Sequence, residues 1–257
     1  MTRAAPGALI LVPNTLDFGI AASSPPPIQD VLPASVIGTA ARLTHWVAEN
    51  AKTTRAFLKR VDAVAPLAAP LQAIDIVELP RPPKGQRTAP AADLRGLLAP
   101  ALQGRDLGLI SEAGLPAVAD PGAALVQAAH AAGLRVIALP GPSSLLLALA
   151  ASGLNGQSFA FVGYLPVDAA ERGARLRELE TLSRRAQQTQ LMIETPYRNE
   201  ALMSALLTHL QPATRLSVSV GLTMPDGFTR TDSVQGWKAR PLTLPVDVPA
   251  VFALLAA

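Results

Sequence analysis

The chain has 257 residues, enough for one large domain or two modest ones, and is 49% hydrophobic but only 4% aromatic, so a core mainly of Ala, Leu and Val is expected. Its formal charge of +3 permits an anionic partner without demanding one. The absence of cysteine excludes disulfides, thiolate catalysis and Cys-ligated metal and fits a cytoplasmic protein, and His45, His130 and His209 are too scattered to suggest a metal site.

Residues 8–12 (ALILV) read as a buried first strand, stopped by Pro13 and Asn14. This start is not read as a secretory signal, and no apolar stretch reaches membrane-spanning length without Gly, Pro or charge. Residues 15–27 are rich in Ser and Pro and predict a loop; residues 35–37 predict a short second strand. Residues 43–49 (LTHWVAE) are expected to pass from helix into strand. Residues 50–61 predict a helix with Phe57, Leu58 and Val61 on its apolar face. Its cations, among them Lys52, Arg55 and Arg60, suit either a solvated face or an anion. Residues 74–79 (IDIVEL) predict a strand, 81–90 a basic, Pro-rich loop, and 93–103 a helix closed by Gly104.

The chain is organised around residues 107–166. An apolar run, 107–110, ends in SEAGLP and then ADPG; a small-residue helix over 123–132 is stopped by Gly133; a second apolar run, 134–139, ends in PGPSS. Two strands that each end in a Gly/Pro turn, with a helix between, predict a parallel, right-handed βαβ unit. Ligands of open α/β sheets sit at the carboxyl ends of the strands, so both turns are candidate active-site elements.

Beyond Pro166, residues 168–188 predict a long charged helix whose arginines and glutamates suit a solvent-facing surface. Residues 190–194 predict a strand ending in TPYRN, 200–210 an amphipathic helix, 216–222 a strand, 229–234 an edge strand and 248–254 a last apolar strand. The natural reading is α/β with two lobes, 1–140 and 141–257, and the Gly/Pro turns in a cleft between them.

At SEAGLPAVADPG, PGPSS, ASG and FVGYLP the chain resembles the tetrapyrrole (corrin/porphyrin) methylase superfamily. Within it, the chain is most similar to the branch of bacterial small-subunit ribosomal-RNA 2′-O-ribose methyltransferases. That branch has SDAGTP and DPG where this chain has residues 111–122, PGPSA and SG where it has 140–153, and a GFLP-type strand end at 163–166. Its ESPxR-type turn is matched by Glu194, Thr195, Pro196, Tyr197 and Arg198. The resemblance implies a two-domain fold that is not Rossmann-type, S-adenosylmethionine held in the cleft between the domains, and a homodimer. It assigns donor contacts to Pro13, Ser111, Glu112, Ala113, Gly114, Leu115, Ser143, Ser144, Met192 and Ala250.

The acceptor side departs from the branch. A TPIGNLxD-type loop becomes VPNTLDFG over residues 12–19, and an EDTR-type motif becomes Glu49, Asn50, Ala51 and Lys52. Lys for Arg is not a neutral exchange where two parallel hydrogen bonds are needed. A ribose acceptor would benefit from a general base. Glu49, Glu112, Asp120, Glu194 and Tyr197 are the candidates, with Glu194 preferred and Asp120 better suited to a turn or helix cap. Lys52, Arg55 and Arg198 could hold phosphate or carboxylate. The expected function is therefore a ribosomal-RNA 2′-O-ribose methyltransferase with an altered acceptor site. A small-molecule methylase acting on a tetrapyrrole and a donor-binding protein without catalysis are the alternatives.

Overall fold

The computed structural model describes residues 5–17, 25–80 and 94–257. The basic loop expected over 81–90, the first residue of the helix expected over 93–103, and the middle of the loop expected over 15–27 lie outside them. The chain forms two compact units, the first ending at Pro142 and the second running Ser143–Ala257.

The first unit is a parallel sheet in the order β3-β2-β4-β1-β5. Its strands are β1 (Ala8–Leu11), β2 (His45–Ala48), β3 (Asp75–Glu78), β4 (Leu107–Ile110) and β5 (Arg135–Ala138). Strand alternation sends Ala8, Ile10, Trp46, Ala48 and Ile110 to one side and Leu9, Val47, Leu107 and Leu109 to the other. The first side is covered by α1 (Ala34–Arg42) and α2 (Ala51–Asp62) through Val36, Ile37, Phe57 and Leu58; the second by α4 (Ala123–Ala131) through Leu125 and Ala129. Fully burying each Leu side chain contributes about 1.5–3 kcal/mol.

Three sequence expectations are corrected in this unit. Residues 35–37 are not a strand but lie in α1. Val36, Ile37, Ala40 and Ala41 recur at helical spacing and are all buried, so the β-branched pair is outvoted by the alanines a turn later. Residues 43–49 hold no new helix, only β2, because His45–Ala48 pairs in parallel with β3 and β4 on either side. The helix expected over 93–103 is, among the described residues, a 3-10 turn (Gly96–Leu98) and a single-turn α3 (Ala99–Leu102), since Pro100 has no N–H and fits only the first turn. β4 and β5 are parallel, as the sequence predicts, with β1 lying between them and pairing with both.

The second unit is a mixed sheet in the order β6-β7-β10-β8-β9. It contains α5 (Ser144–Ser152), β6 (Phe159–Phe161), α6 (Ala169–Ala186), β7 (Thr189–Glu194), α7 (Asn199–His209), β8 (Arg215–Val220), β9 (Phe228–Ser233), α8 (Val234–Ala239) and β10 (Ala250–Leu255). β9 is the edge strand the sequence predicts, and β10, the last strand, is central. One sheet face carries Met192, Ala250 and Phe252 against Leu176 and Leu179 of α6 and Leu202 and Leu206 of α7; the other carries Leu191, Val251 and Ala253 against α5. α6 starts where the Asp168 carboxylate accepts the N–H groups of Ala170 and Glu171, each at 2.9 Å. α8 was not legible in the sequence; it is held by a Ser233 cap and by the fully buried Trp237, whose Nε1 donates to Leu216 O at 2.8 Å. No helix among the described residues is long and apolar enough to cross a membrane.

Candidate functional site

In the first unit β2, β4 and β1 are consecutive and parallel, so the segments leaving their carboxyl ends meet at one edge. Hydrogen bonds tie them together. Asn14, buried just past β1, donates from Nδ2 to the carbonyl oxygens of Glu112 (2.9 Å) and Ser111 (3.3 Å). Its Oδ1 accepts the N–H of Thr15 at 2.9 Å. Its main-chain N–H donates to Gly114 O at 2.9 Å, and Gly114 N–H donates back to Thr15 O at 3.4 Å. From the end of β2, Glu49 Oε2 accepts the N–H of Glu112 at 3.0 Å. The Ser111 hydroxyl donates to Ala113 O at 3.1 Å.

The turn over residues 111–122 takes the left-handed region four times, at Gly114 (φ 65°), Ala117 (67°), Ala119 (64°) and Gly122 (132°). For the two alanines this costs about 1–2 kcal/mol each. Such conformations persist where the surroundings over-determine them. At Gly114 a Cβ would also stand 3.3 Å from Leu16 Cδ2. On the other side of β1 the PGP turn lies against Pro13, since a Cβ on Gly141 would fall 2.3 Å from Pro13 Cβ. Pro13, Ser111, Glu112, Ala113, Gly114 and Leu115 are thus brought together, as the sequence groups them.

Asp120 belongs to the same acidic neighbourhood. Burial pushes its carboxyl up to about 6; the negative charge of Glu49 adds to the rise, the neighbouring Ser111 side chain opposes it, and Glu112 adds a little more.

The remaining expected residues belong to other elements. Ser143 and Ser144 open α5, and the Ser143 side chain makes no capping bond. Met192 and Ala250 are buried core residues of the second unit, so what they can offer a ligand is main-chain atoms. Glu194 is the register partner of Ala250. Its Oε1 accepts the N–H and hydroxyl of Thr195 at 2.8 and 3.2 Å, and Oε2 lies 2.9 Å from Arg198 Nη2. That last contact is close enough for an ion pair but not aligned as a hydrogen bond, which leaves Oε2 without one. Tyr197 is 77% exposed. Lys52 is exposed in the first turn of α2, where Asn50 caps the helix by accepting the N–H groups of Lys52 and Thr53. Asn14 and Arg60 are named by the sequence only as a strand-ending residue and one of several helix cations; neither type nor position signals the bonds they make.

A family model described as Tetrapyrrole (Corrin/Porphyrin) Methylases matches residues 34–235. Among curated proteins, the Ribosomal RNA small subunit methyltransferase I of Mesorhizobium japonicum is 36% identical over 139 residues, 54% of this chain and 46% of that protein. The protein of the same name from Pseudomonas aeruginosa is 43% identical over 95 residues, 37% of this chain and 32% of its own length. The one from Xylella fastidiosa is 49% identical over 78 residues, 30% and 29% respectively. The matched segments therefore span less than half the length of each of these relatives. Among solved structures, the methyltransferase CobJ superposes with a TM-score of 0.55 at 19% identity, covering 98% of this chain and 95% of that one. The native form of uroporphyrin III C-methyl transferase from Thermus thermophilus gives 0.55 at 17% identity, covering 97% of each chain. These two likenesses establish the fold.

Proposed function

The chain belongs to the tetrapyrrole (corrin/porphyrin) methylase family, and we propose that it is an S-adenosylmethionine-dependent methyltransferase acting on a ribose 2′-hydroxyl of ribosomal RNA. The names of its curated relatives and the motif order over residues 107–198 support the substrate. The observation that carries the reading is the turn over residues 111–122. Its left-handed Gly114 lets main chain approach a nucleoside closely, and Glu112 and Asp120 put negative charge beside a donor that is cationic at sulfur and at its ammonium group.

When bound, the donor supplies an already activated methyl group. The chain's part is to hold two reactants in line and keep water out. In the first unit, donor contacts fall to Pro13, Ser111, Glu112, Ala113, Gly114 and Leu115. The proton leaving the acceptor hydroxyl goes to Asp120, whose raised carboxyl is the better-matched base at neutral pH. Glu194 is a weaker choice, its oxygens being engaged by Thr195 and Arg198. Lys52 and Arg55 are assigned to the phosphates of the acceptor. We take the working form to be a cytoplasmic homodimer, which sedimentation tests; the exposed Phe159 and Phe161 on edge strand β6 suit a contact.

The deciding experiment maps ribose methylation of the small-subunit RNA in a strain lacking the gene. One modification should vanish and return on complementation; an unchanged pattern refutes the reading. One observation favours a different acceptor. Asn50, which stands where the branch has the acid of its EDTR-type motif, is consumed in capping α2. Absorbance titration with corrinoid precursors tests this second reading, and tight binding alongside unchanged RNA methylation would establish it.

A further inference from the structure

We infer that Asn14 and Glu49 are positioning residues that set the peptide planes of residues 111–114, and through them the affinity for the methyl donor. This rests on the donor-site reading above. The bonds converge on one short segment from two other strand ends. Asn14 Nδ2 fixes the Ser111 and Glu112 carbonyls, its main chain fixes Gly114, and Glu49 Oε2 fixes the Glu112 N–H. Asn14 is buried, and its amide orientation is settled by its partners, two carbonyls at Nδ2 and one N–H at Oδ1.

A turn holding a left-handed Gly114 has other backbone states within reach. Clamping its peptides at fixed angles lowers the ordering cost that a ligand would otherwise meet on binding. Both residues act through the turn, so neither needs to touch the donor. For Glu49 the needed chemistry is an acceptor oxygen, not a negative charge. A glutamine retains that oxygen; an alanine leaves the Glu112 N–H without it.

The test is calorimetric titration of S-adenosylmethionine and S-adenosylhomocysteine into wild type, Asn14→Asp, Glu49→Ala and Glu49→Gln, each at a temperature where its melting curve shows it fully folded. Asn14→Asp replaces two donated hydrogen bonds by a carboxylate facing two carbonyl oxygens. It and Glu49→Ala should weaken both ligands at least tenfold, while Glu49→Gln should stay within threefold of wild type. Amide exchange at Glu112 should accelerate in Glu49→Ala and not in Glu49→Gln, with no ligand present. If wild type binds neither ligand, the donor-site reading fails and takes this inference with it. If wild type binds and folded Asn14→Asp and Glu49→Ala match it, only the positioning role is overturned. If Glu49→Gln falls as far as Glu49→Ala, Glu49 acts by charge and the inference is wrong for it. Should Asn14→Asp not fold, the Glu49 pair decides.

Discussion

Arg60 Nη1 on α2 stands 3.0 Å from the carboxylate of Asp17, whose side chain is only 6% exposed. The same nitrogen reaches the Thr15 hydroxyl at 3.1 Å, and Nη2 reaches the carbonyl of Pro26 at 2.9 Å. One guanidinium thus fixes the segment that leaves β1 at several points. Removing a partner from a buried pair leaves an uncompensated charge. Because Arg60 is itself 28% exposed, Arg60→Ala should cost about 2 kcal/mol, somewhat below the loss from a fully buried pair. Urea unfolding measures it. Asp17→Asn keeps a polar partner and should cost less; equal losses would mean that the ion pair is not the source.

Gly114 is a sharper probe of the donor site. Its φ of 65° favours glycine, and a Cβ there meets Leu16 Cδ2 at 3.3 Å. Gly114→Ala should cost about 1–2 kcal/mol through the left-handed conformation. Gly114→Arg should in addition abolish donor binding, read by calorimetry on folded protein. Unchanged affinity would show that the donor does not use this turn.

Much of this was legible in the sequence, for reasons that differ by residue. β1 and β4 are unbroken apolar runs because both their faces are covered. α6 announces its start with Asp168. The segment from Ser111 to Leu115 was legible as a turn at the end of a strand from its Gly and Pro, while its reading as a donor site came from the family resemblance. Asn14 was not, because its side-chain partners are main-chain carbonyls 97 and 98 positions away, and a carbonyl leaves no trace in residue type. Residues 35–37 misled because Val36 and Ile37 suit a strand locally, while the decisive signal was the burial of Ala40 and Ala41 one turn on.

Asp120 makes stability depend on pH. Its folded carboxyl titrates near 6, above the usual 3.8, so the folded chain holds a proton that the unfolded chain releases. The favourable contribution is fully present below about pH 4 and is lost as pH rises through 6. Asp120→Asn does not ionise, so it should match wild type near pH 4 and exceed it at pH 7 by about 1 kcal/mol. That is less than the whole shift implies, since the carboxyl is partly solvated. Thermal melts across this range check it. The same variant should lose methyl transfer even when saturated with donor, as expected of a base.

Glu194 and Arg198 separate a structural carboxylate from a catalytic one. Glu194 is 1% exposed at its side chain and has Arg198 as its ion-pair partner at 2.9 Å. Arg198→Ala would leave a buried charge with only the Thr195 donors, and should destabilise the second unit by about 3 kcal/mol. Glu194→Gln removes the charge and keeps an acceptor for Thr195. If Glu194 only braces the turn after β7, this variant should retain its rate within a few-fold across the pH range. If it is the base, the rate should fall by two orders of magnitude or more, the usual worth of a positioned proton acceptor. Single-turnover rates on donor-saturated protein distinguish the two, and the large loss would return the catalytic role from Asp120 to Glu194.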